Sequence, residues 1–592
     1  TEWAKVVGAG QHGAFNRTLV KEEWRVQKEA KESGRKCHFG HIAELCYQKN
    51  SELPDGDDRK KYKGRSVFLG DQVRDEQGQV ALFNDLSSAP ATMAAGKTAD
   101  AIGLLPGYDT EIADVMSAYL QAMFGNKKVK ATPTWVTIPR HRWPPEWFYA
   151  DGTPMYTNPV CPLEMALYGH PEAGGYWEMY CHDCVMACGF RRAAEEWPGC
   201  YYHDELKCFL VVYVDDLKMS GPKENLPKAW ALLRGKMTMD PPTKTGRYLG
   251  CDHKTGEATV DGKRYKTITY DMSDFFDSCV EKYEKLAGPK FRLKDVPTPF
   301  VEDLLKHGPG APAPGKEWMK CPWCQGCYNS ELFEKGTGNP ASRAKPKSGT
   351  DTTTTSVSEG PRGVLADSAS SILMKVLYGA RMARFDLLRA VCALACCVTK
   401  WDPDCDRRLH RLMCYLYSTR HHRMVGYICQ DDSPGDLESM LYCDADFAGC
   451  SETLRSTNGV HFDIAGPGSK FPITGVSKKQ TAVSHSTPEA EIIAGAFGLR
   501  TEGLASAKLV DSLLGRERAL LFKEDNQAML RVAETGKNPT MRHLGRVHGC
   551  SVQWLHERYH DDSVRMDYCD TCDQCADVYT KAFADPIKWA HA

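Results

Sequence analysis

The stretch at 208–221 reads CFLVVYVDDLKMSG. Six apolar residues, Phe209 to Val214, run straight into the adjacent carboxylates Asp215 and Asp216, and apolar residues resume at Leu217 and Met219. Two apolar runs around a short polar break predict two buried strands joined as a hairpin. Acidic side chains are seldom fully buried unless paired or metal-bound. Two carboxylates about 4 Å apart repel by roughly 4 kcal/mol at an effective dielectric of about 20. Either a cation compensates this pair, or the pair is a solvated turn.

The rest of the chain bounds the choice. At 592 residues it is too long for one core, and about three to four domains are expected. Hydrophobic content of 42% and charged content of 26% are ordinary for soluble globular protein. The 75 Lys and Arg nearly balance the 77 Asp and Glu, for a net charge of -2. Such a balance neither demands nor excludes a nucleic-acid partner, because a local basic groove can coexist with a neutral total. No signal-peptide pattern opens the chain, and its start at Thr1 rather than Met suggests a processed product or a fragment. The longest apolar stretch in the helical region, 390–398, is far short of a membrane span. The 25 cysteines lack the spacing of a small disulfide scaffold, so reduced thiols are expected.

Residues 1–60 read as a polar N-terminal extension with a charged run, DGDDRKK, at 55–61. Over 61–290, strand-like runs alternate with helical segments in an α+β pattern. A linker is expected over 291–365, where PGAPAPG and KGTGNPASRAKPKSGTDTTTTSVSEGPRG cannot bury enough surface to order themselves. Residues 366–435 are helical, including a helix opened by Asp402 and Pro403, since Pro suits the first helical position. There Leu409, Leu412, Met413 and Leu416 share one face, with Arg407, Arg408 and Arg411 mostly off it. A second α+β module fills 436–592, and no internal repeat is visible.

The Asp pair gains meaning when a third carboxylate can join it. EIADVMSAYLQ at 111–121 offers Asp114 at the end of a short strand, followed by a helical turn. Neighbouring strands of one sheet would bring Asp114 beside Asp215, a set of hard oxygen ligands for two divalent cations. Paired cations about 3.5–4 Å apart stabilise both the attacking and the leaving oxygen of an in-line phosphoryl displacement. Read alone, Tyr119 is an ordinary core aromatic, and Lys63 and Arg65 are surface charges.

A family resemblance enters at these residues. YVDD inside an apolar hairpin, with D-V-x-x-A-Y upstream, resembles the palm of a reverse transcriptase. The likeness sharpens to the copia-type LTR retrotransposon Pol polyprotein. KYKGRSVFLG at 61–70 is similar to that family's fingers segment, and VCPLEMALYGHPEAGGYWEMY at 160–180 to its V-C-x-L-x-x-x-L-Y-G-x-x-Q-A-P-x-x-W segment. RYLGCD at 247–252 resembles the strand that grips the primer. RMARFDLLRAVCALACCVTKW at 381–401 resembles the T-R-P-D-I-x-x-A-V helix region. The resemblance implies that Asp114, Asp215 and Asp216 carry two Mg²⁺ ions, or Mn²⁺. It also implies that Tyr119 is the aromatic gate against a ribose 2′-hydroxyl, and that Lys63 and Arg65 lie near the triphosphate. Glu172 stands where the family usually has Gln, and a carboxylate beside an incoming triphosphate repels it unless protonated or paired.

A second acidic set lies downstream. LYCDADFAGC at 441–450 carries Asp444 after a strand-like start, with Asp446 as its competitor. In SKKQTAVSHSTPEAEIIAGAFGLRTEGLASA, at 477–507, Ser486 or Thr487 is the expected N-cap of a helix holding Glu489 and Glu491. LLFKEDNQAML at 520–530 places Asp525 at a strand end, and CDTCDQCADVYTKAF at 569–583 carries Asp577 on a helix. Four acidic residues from separate elements are what a two-metal nuclease uses to organise an attacking water. These segments resemble the copia-type RNase H forms Y-x-D-A-D-W-A-G, S-T-T-E-A-E, D-N-Q-x-A and D-Q-L-A-D-x-L-T-K. The resemblance implies Asp444, Glu491, Asp525 and Asp577 as metal ligands. Glu491 is preferred to Glu489 because the following IIAGAF pattern turns it toward the sheet. No histidine directly precedes Asp577, so no general-acid histidine is assigned, and His543 and His548 read as structural.

Cys321, Cys324 and Cys327 form one cluster, and Cys569, Cys572 and Cys575 another, the latter at helical spacing on the segment that carries Asp577. Structural zinc takes four ligands and each cluster supplies three, so neither is read as a zinc site. Taken whole, the resemblance implies an α+β right-hand polymerase with fingers, palm and helical thumb or connection, followed by an RNase H-like α/β domain. Such a protein copies RNA from a DNA primer with dNTPs and cuts the RNA strand of an RNA–DNA hybrid by its shape and 2′-hydroxyls. It needs no membrane and works in cytoplasmic virus-like particles, in the nucleus, or in both. The competing class is a remnant that binds nucleic acid without turnover; the carboxylates speak against it, while Glu172 and the linker keep it open.

Overall fold

The apolar run of the opening stretch forms the strand Cys208–Tyr213, which returns antiparallel as Asp216–Pro222. Side chains alternate across a strand, so Phe209 and Val211 enter one hydrophobic core while Leu210, Val212, Leu217 and Met219 enter another. A strand covered on both faces explains why the run shows no polar alternation. Helix Met93–Gly103 packs on the first face, and Trp177 of helix Ala173–Met186 and Trp230 of helix Leu226–Arg234 lie in the core on the second. In this computed structural model the described residues are 2–49, 55–58, 60–83, 89–125, 129–301, 361–450, 453–538 and 541–592, with the backbone of 318–320 and 327–329.

The architecture is mixed α+β. The hairpin belongs to a sheet ordered Thr243–Lys244, Tyr108–Asp114, Asp216–Pro222, Cys208–Tyr213, Cys200–His203, Arg191–Arg192. A separate sheet pairs His38–Lys49 with Lys61–Phe68, Thr134–Thr137 and Arg74–Asp75. The 1–60 segment, expected as an extension, therefore supplies a long strand to the same sheet as 61–68. The largest sheet runs through Arg247–Tyr248, Cys251–Val260, Lys263–Asp271, Met424–Cys429, Lys470–Lys479, Thr457–Ala465, Glu438–Asp446, Leu520–Glu524 and Val564–Tyr568. It crosses the boundary drawn at 290, because Lys263–Asp271 pairs with Met424–Cys429 more than 150 residues away, and the one at 435, because Met424–Cys429 pairs with Lys470–Lys479.

Helix Pro403–Ser418 opens where expected, with the Asp402 side chain accepting the Cys405 N–H at 2.8 Å. Leu409, Leu412, Met413 and Leu416 are all fully buried, each removing apolar surface worth roughly 1.5–3 kcal/mol. They join one continuous core that reaches from helix Met93–Gly103 through helix Ala369–Ala383 to the largest sheet. Of the expected linker, 302–317, 321–326 and 330–360 lie outside the described residues, and with them Cys321 and Cys324. Only the backbone of Cys327 is described. Among the described residues no helix is long and apolar enough to cross a membrane, and every cysteine whose side chain is described is free.

Candidate metal centres

The first acidic set sits at the hairpin. Tyr213 and Asp216 form the last strand pair, leaving Val214 and Asp215 as the turn. Val214 has φ +58°, a left-handed conformation that a β-branched residue rarely adopts and that costs about 1–3 kcal/mol. The Trp177 indole N–H donates to the Val214 carbonyl at 2.8 Å and holds it there. Asp216 is the Cα partner of Asp114 across the antiparallel pair, and the Val115 N–H donates to the Asp215 carbonyl at 2.8 Å. Asp114 is exposed, and Asp215 and Asp216 are half-buried. Lys218, the nearest cation in sequence, points away: its ammonium is buried against Asp100 at 2.8 and 2.9 Å.

Tyr119 follows on the short turn Ala118–Gln121, and its ring packs edge-on against Tyr168 at 4.8 Å between centroids. Burial raises its hydroxyl pKa, and the Asp215 charge raises it further. The Arg65 guanidinium lies over Tyr168 at 5.4 Å and over Tyr47 at 5.6 Å. The Asp215 and Arg65 charges act in opposite directions on the hydroxyls of this ring pair. Lys63, two residues earlier on the same strand face, is exposed opposite Tyr47. Glu172, expected to repel a triphosphate unless protonated or paired, is buried and paired. At 2% exposure it starts helix Ala173–Met186 and accepts the Tyr176 hydroxyl at 3.0 Å. The helix geometry turns it inward, toward the ring four residues on.

The second set is tighter. Asp444 lies on the strand Glu438–Asp446, Glu491 on helix Thr487–Gly498, Asp525 just past Leu520–Glu524, and Asp577 at the first position of Asp577–Thr580. Carboxylate oxygens of Asp444, Asp525 and Asp577 all lie within 4.8 Å of one another. The Thr580 hydroxyl donates to Asp444, Thr571 donates to Asp525 at 2.9 Å, and the Lys581 ammonium reaches Asp577 at 2.5 Å and Asp444 at 3.9 Å. Glu491 is buried, and its Oε2 has no hydrogen-bond partner.

Both competing carboxylates are engaged elsewhere. Asp446 pairs with Arg389 at 2.9 Å and accepts the Thr457 N–H. Glu489 accepts the His543 ring at 3.0 Å and the His485 N–H at 3.2 Å. The helix does start at the Ser486 cap, whose hydroxyl accepts the Glu489 N–H.

One member went unread in the sequence. Glu524, fully buried at the end of the strand before Asp525, also has an oxygen without a partner. Its only sequence signal is an acid closing the strand LLFKE, next to another acid. Burial, then neighbouring carboxylates, push Glu491 far up, and burial does the same to Glu524. Asp577 is raised to about 6, by burial first and the Asp444 charge second. Were all five crowded carboxylates ionised, the Lys581 ammonium that faces them would leave much of their negative charge unbalanced. Burial and mutual repulsion therefore raise the pKa values of Glu491, Glu524 and Asp577. Hard divalent cations with oxygen ligands fit that demand.

Cys569, Cys572 and Cys575 do not share a helical face. They occupy the segment around the short turn Thr571–Asp573, where the Asp570 side chain accepts the Cys572 N–H, and the helix begins only at Asp577. No protein-family model matches the chain, and no curated protein matches it.

Proposed function

We propose that the chain is an RNA-directed DNA polymerase joined to a ribonuclease H, of the copia-type retrotransposon class. The observation that carries this reading is the presence of two acidic sets on two different sheets, one at the tip of a hairpin beside the end of the Asp114 strand and one where Asp444, Asp525 and Asp577 converge. Mg²⁺ bound at either set would supply charge stabilisation to the attacking and leaving oxygens of phosphoryl transfer.

In the polymerase reading, Asp114 and Asp215 hold the cations at the hairpin, with Asp216 beside them, and the Val214 turn fixes where Asp215 points. Tyr119, packed on Tyr168 and within the field of Asp215, blocks the space a ribose 2′-hydroxyl would need. Arg65 and Lys63 face the same side and attract the triphosphate. In the nuclease reading, Asp444, Asp525 and Asp577 converge on one point, with Glu491 from the covering helix and Lys581 balancing part of their charge. The bound nucleic acid would be an RNA template paired to a DNA primer.

The test is primer extension on an RNA template and cleavage of an RNA–DNA hybrid, both with Mg²⁺. Activity in both supports the proposal. Binding of the hybrid without either activity would identify a non-catalytic remnant instead.

A further inference from the structure

A cluster of thiols around one lysine, used by neither acidic set, lies beyond the strand Glu438–Asp446. The loop after that strand is closed by its own backbone: the Cys450 N–H donates to the Arg455 carbonyl at 3.2 Å, and the Leu454 N–H to the Cys450 carbonyl at 2.7 Å. Lys479, the last residue of strand Lys470–Lys479, donates to the Cys450 Sγ at 3.1 Å. The Thr453 hydroxyl and N–H donate to the same sulfur. A neutral thiol is a weak acceptor, so three donors, one of them an ammonium, form a cradle suited to a thiolate. Cys396 and Cys397, just past helix Leu388–Ala395, also lie within the field of Lys479. Asp446, four residues before Cys450, is tied to Arg389 at 2.9 Å, which takes up its charge.

The electrostatics agree with the contacts. Burial works to raise the Cys450 pKa, but the donors from Thr453 and Lys479 outweigh it and bring the thiol down to about 7. Burial likewise works against charge on Lys479, yet its pKa is raised, first of all by the Cys450 sulfur. Cys575 supplies the contrast. Lys470 donates to it at 3.5 Å, but burial, the largest effect, together with the Asp463 and Asp573 charges, outweighs that lysine and raises the thiol. Cys450 is half-buried rather than sealed in the core, which leaves it open to a small reagent.

We propose that Cys450, cradled by Lys479 and Thr453, is a reactive thiolate and the chain's preferred site of mixed-disulfide formation with low-molecular-weight disulfides. The sulfur attacks one end of R–S–S–R. The bond to Cys450 Sγ forms as the reagent's own S–S bond breaks and R–S⁻ leaves, so no further oxidant is needed. The site does not depend on the activities proposed above.

The test treats the reduced full chain at pH 6 with limiting 5,5′-dithiobis(2-nitrobenzoate), an aromatic disulfide, and maps the label by mass spectrometry of proteolytic fragments. The exposed thiols Cys46, Cys396 and Cys572 are the reference. A larger thiolate fraction, partly offset by lower nucleophilicity, should make Cys450 react about tenfold faster than these. Its rate should rise with a midpoint near pH 7, and Cys575 should stay unlabelled. Cys450→Ser should remove the fast equivalent. Lys479→Met should slow it and move the midpoint upward, while Lys479→Arg should keep most of the rate. Label spread evenly over the exposed thiols of the wild type would overturn the proposal. A Lys479→Met protein that reacts at the wild-type rate, with its midpoint still near pH 7, would overturn it equally.

Discussion

Asp216 lies opposite Asp114 as its Cα partner across two antiparallel strands, one residue past a turn whose Val214 is held at φ +58°. That register puts Asp215 at the tip of the hairpin beside the end of the Asp114 strand. It also places the aromatic pair Tyr119 and Tyr168 within the field of the Asp215 charge.

If the proposed polymerase uses Tyr119 to exclude a 2′-hydroxyl, Tyr119→Ala should let it incorporate ribonucleotides, while Tyr119→Phe keeps the discrimination. A core role predicts instead a loss of stability of roughly 3–5 kcal/mol, as for large aromatic truncations. Comparing rNTP and dNTP incorporation by the stable variants decides. Unchanged selectivity in a folded Tyr119→Ala protein would remove the gate.

Glu172 is buried on the Tyr176 hydroxyl, so its substitution should act on stability rather than on nucleotide binding. Glu172→Gln is expected to cost about 1–3 kcal/mol in denaturant unfolding, the penalty when a buried polar group loses its partner. The KM for dNTP should stay within a few-fold. A large change in KM at unchanged stability would bring the carboxylate back to the substrate.

Lys97 gives a pH signature. It is buried in helix Met93–Gly103, donates to the Arg381 carbonyl at 3.1 Å and lies 4.1 Å over the Phe385 ring. Burial lowers its pKa from 10.5 to about 7, against the opposing pull of Cys251 and Asp100. Between those values the unfolded chain holds a proton that the folded chain lacks, so this group makes stability rise with pH. The slope is at most about 1.4 kcal/mol per pH unit. The advantage of Lys97→Met over wild type should therefore be largest near pH 7 and shrink toward pH 10. Unfolding free energies at pH 7, 8 and 9 measure it, and a constant difference would contradict the assignment.

Glu524 crowds Glu491 inside the second acidic set, with one oxygen bonded to the Asn526 N–H at 3.0 Å and the other unpartnered. Glu524→Gln removes a buried acid while keeping its shape. In EDTA it should stabilise the fold by on the order of 1–2 kcal/mol. A lower unfolding midpoint in EDTA would show instead that the carboxylate has a partner that the amide cannot replace.

The hairpin, the position of Asp114 at a strand end, the Asp402 cap and the buried face of helix Pro403–Ser418 were all legible, because each depends on local periodicity or on a cap beside its helix. That Glu491 and Glu489 turn to different neighbours, the one toward Asp444 and Glu524 and the other toward His543, was legible for the same reason, since helical spacing separates their directions. The long sheet was not. Its strand Lys263–Asp271 finds its partner in Met424–Cys429, and no local pattern announces a pairing across that distance. Glu524 was hidden by its neighbour Asp525, and the Cys569, Cys572 and Cys575 spacing imitated a helix that the Asp570 turn prevents. The pairing of Glu172 with Tyr176 was not legible, because a position within a segment says nothing about which way its side chain turns.

The central claim is that two independent acidic sets perform two reactions. One measurement tests it most directly: primer extension and hybrid cleavage, both assayed on Asp215→Asn and on Asp444→Asn at one fixed salt concentration. Fixed salt matters because shared phosphate contacts make binding to the hybrid salt-dependent. Asp215→Asn should abolish extension and leave cleavage within a few-fold of wild type. Asp444→Asn should abolish cleavage and leave extension within a few-fold. Loss of both activities in either variant, with the fold intact by circular dichroism, would contradict the account.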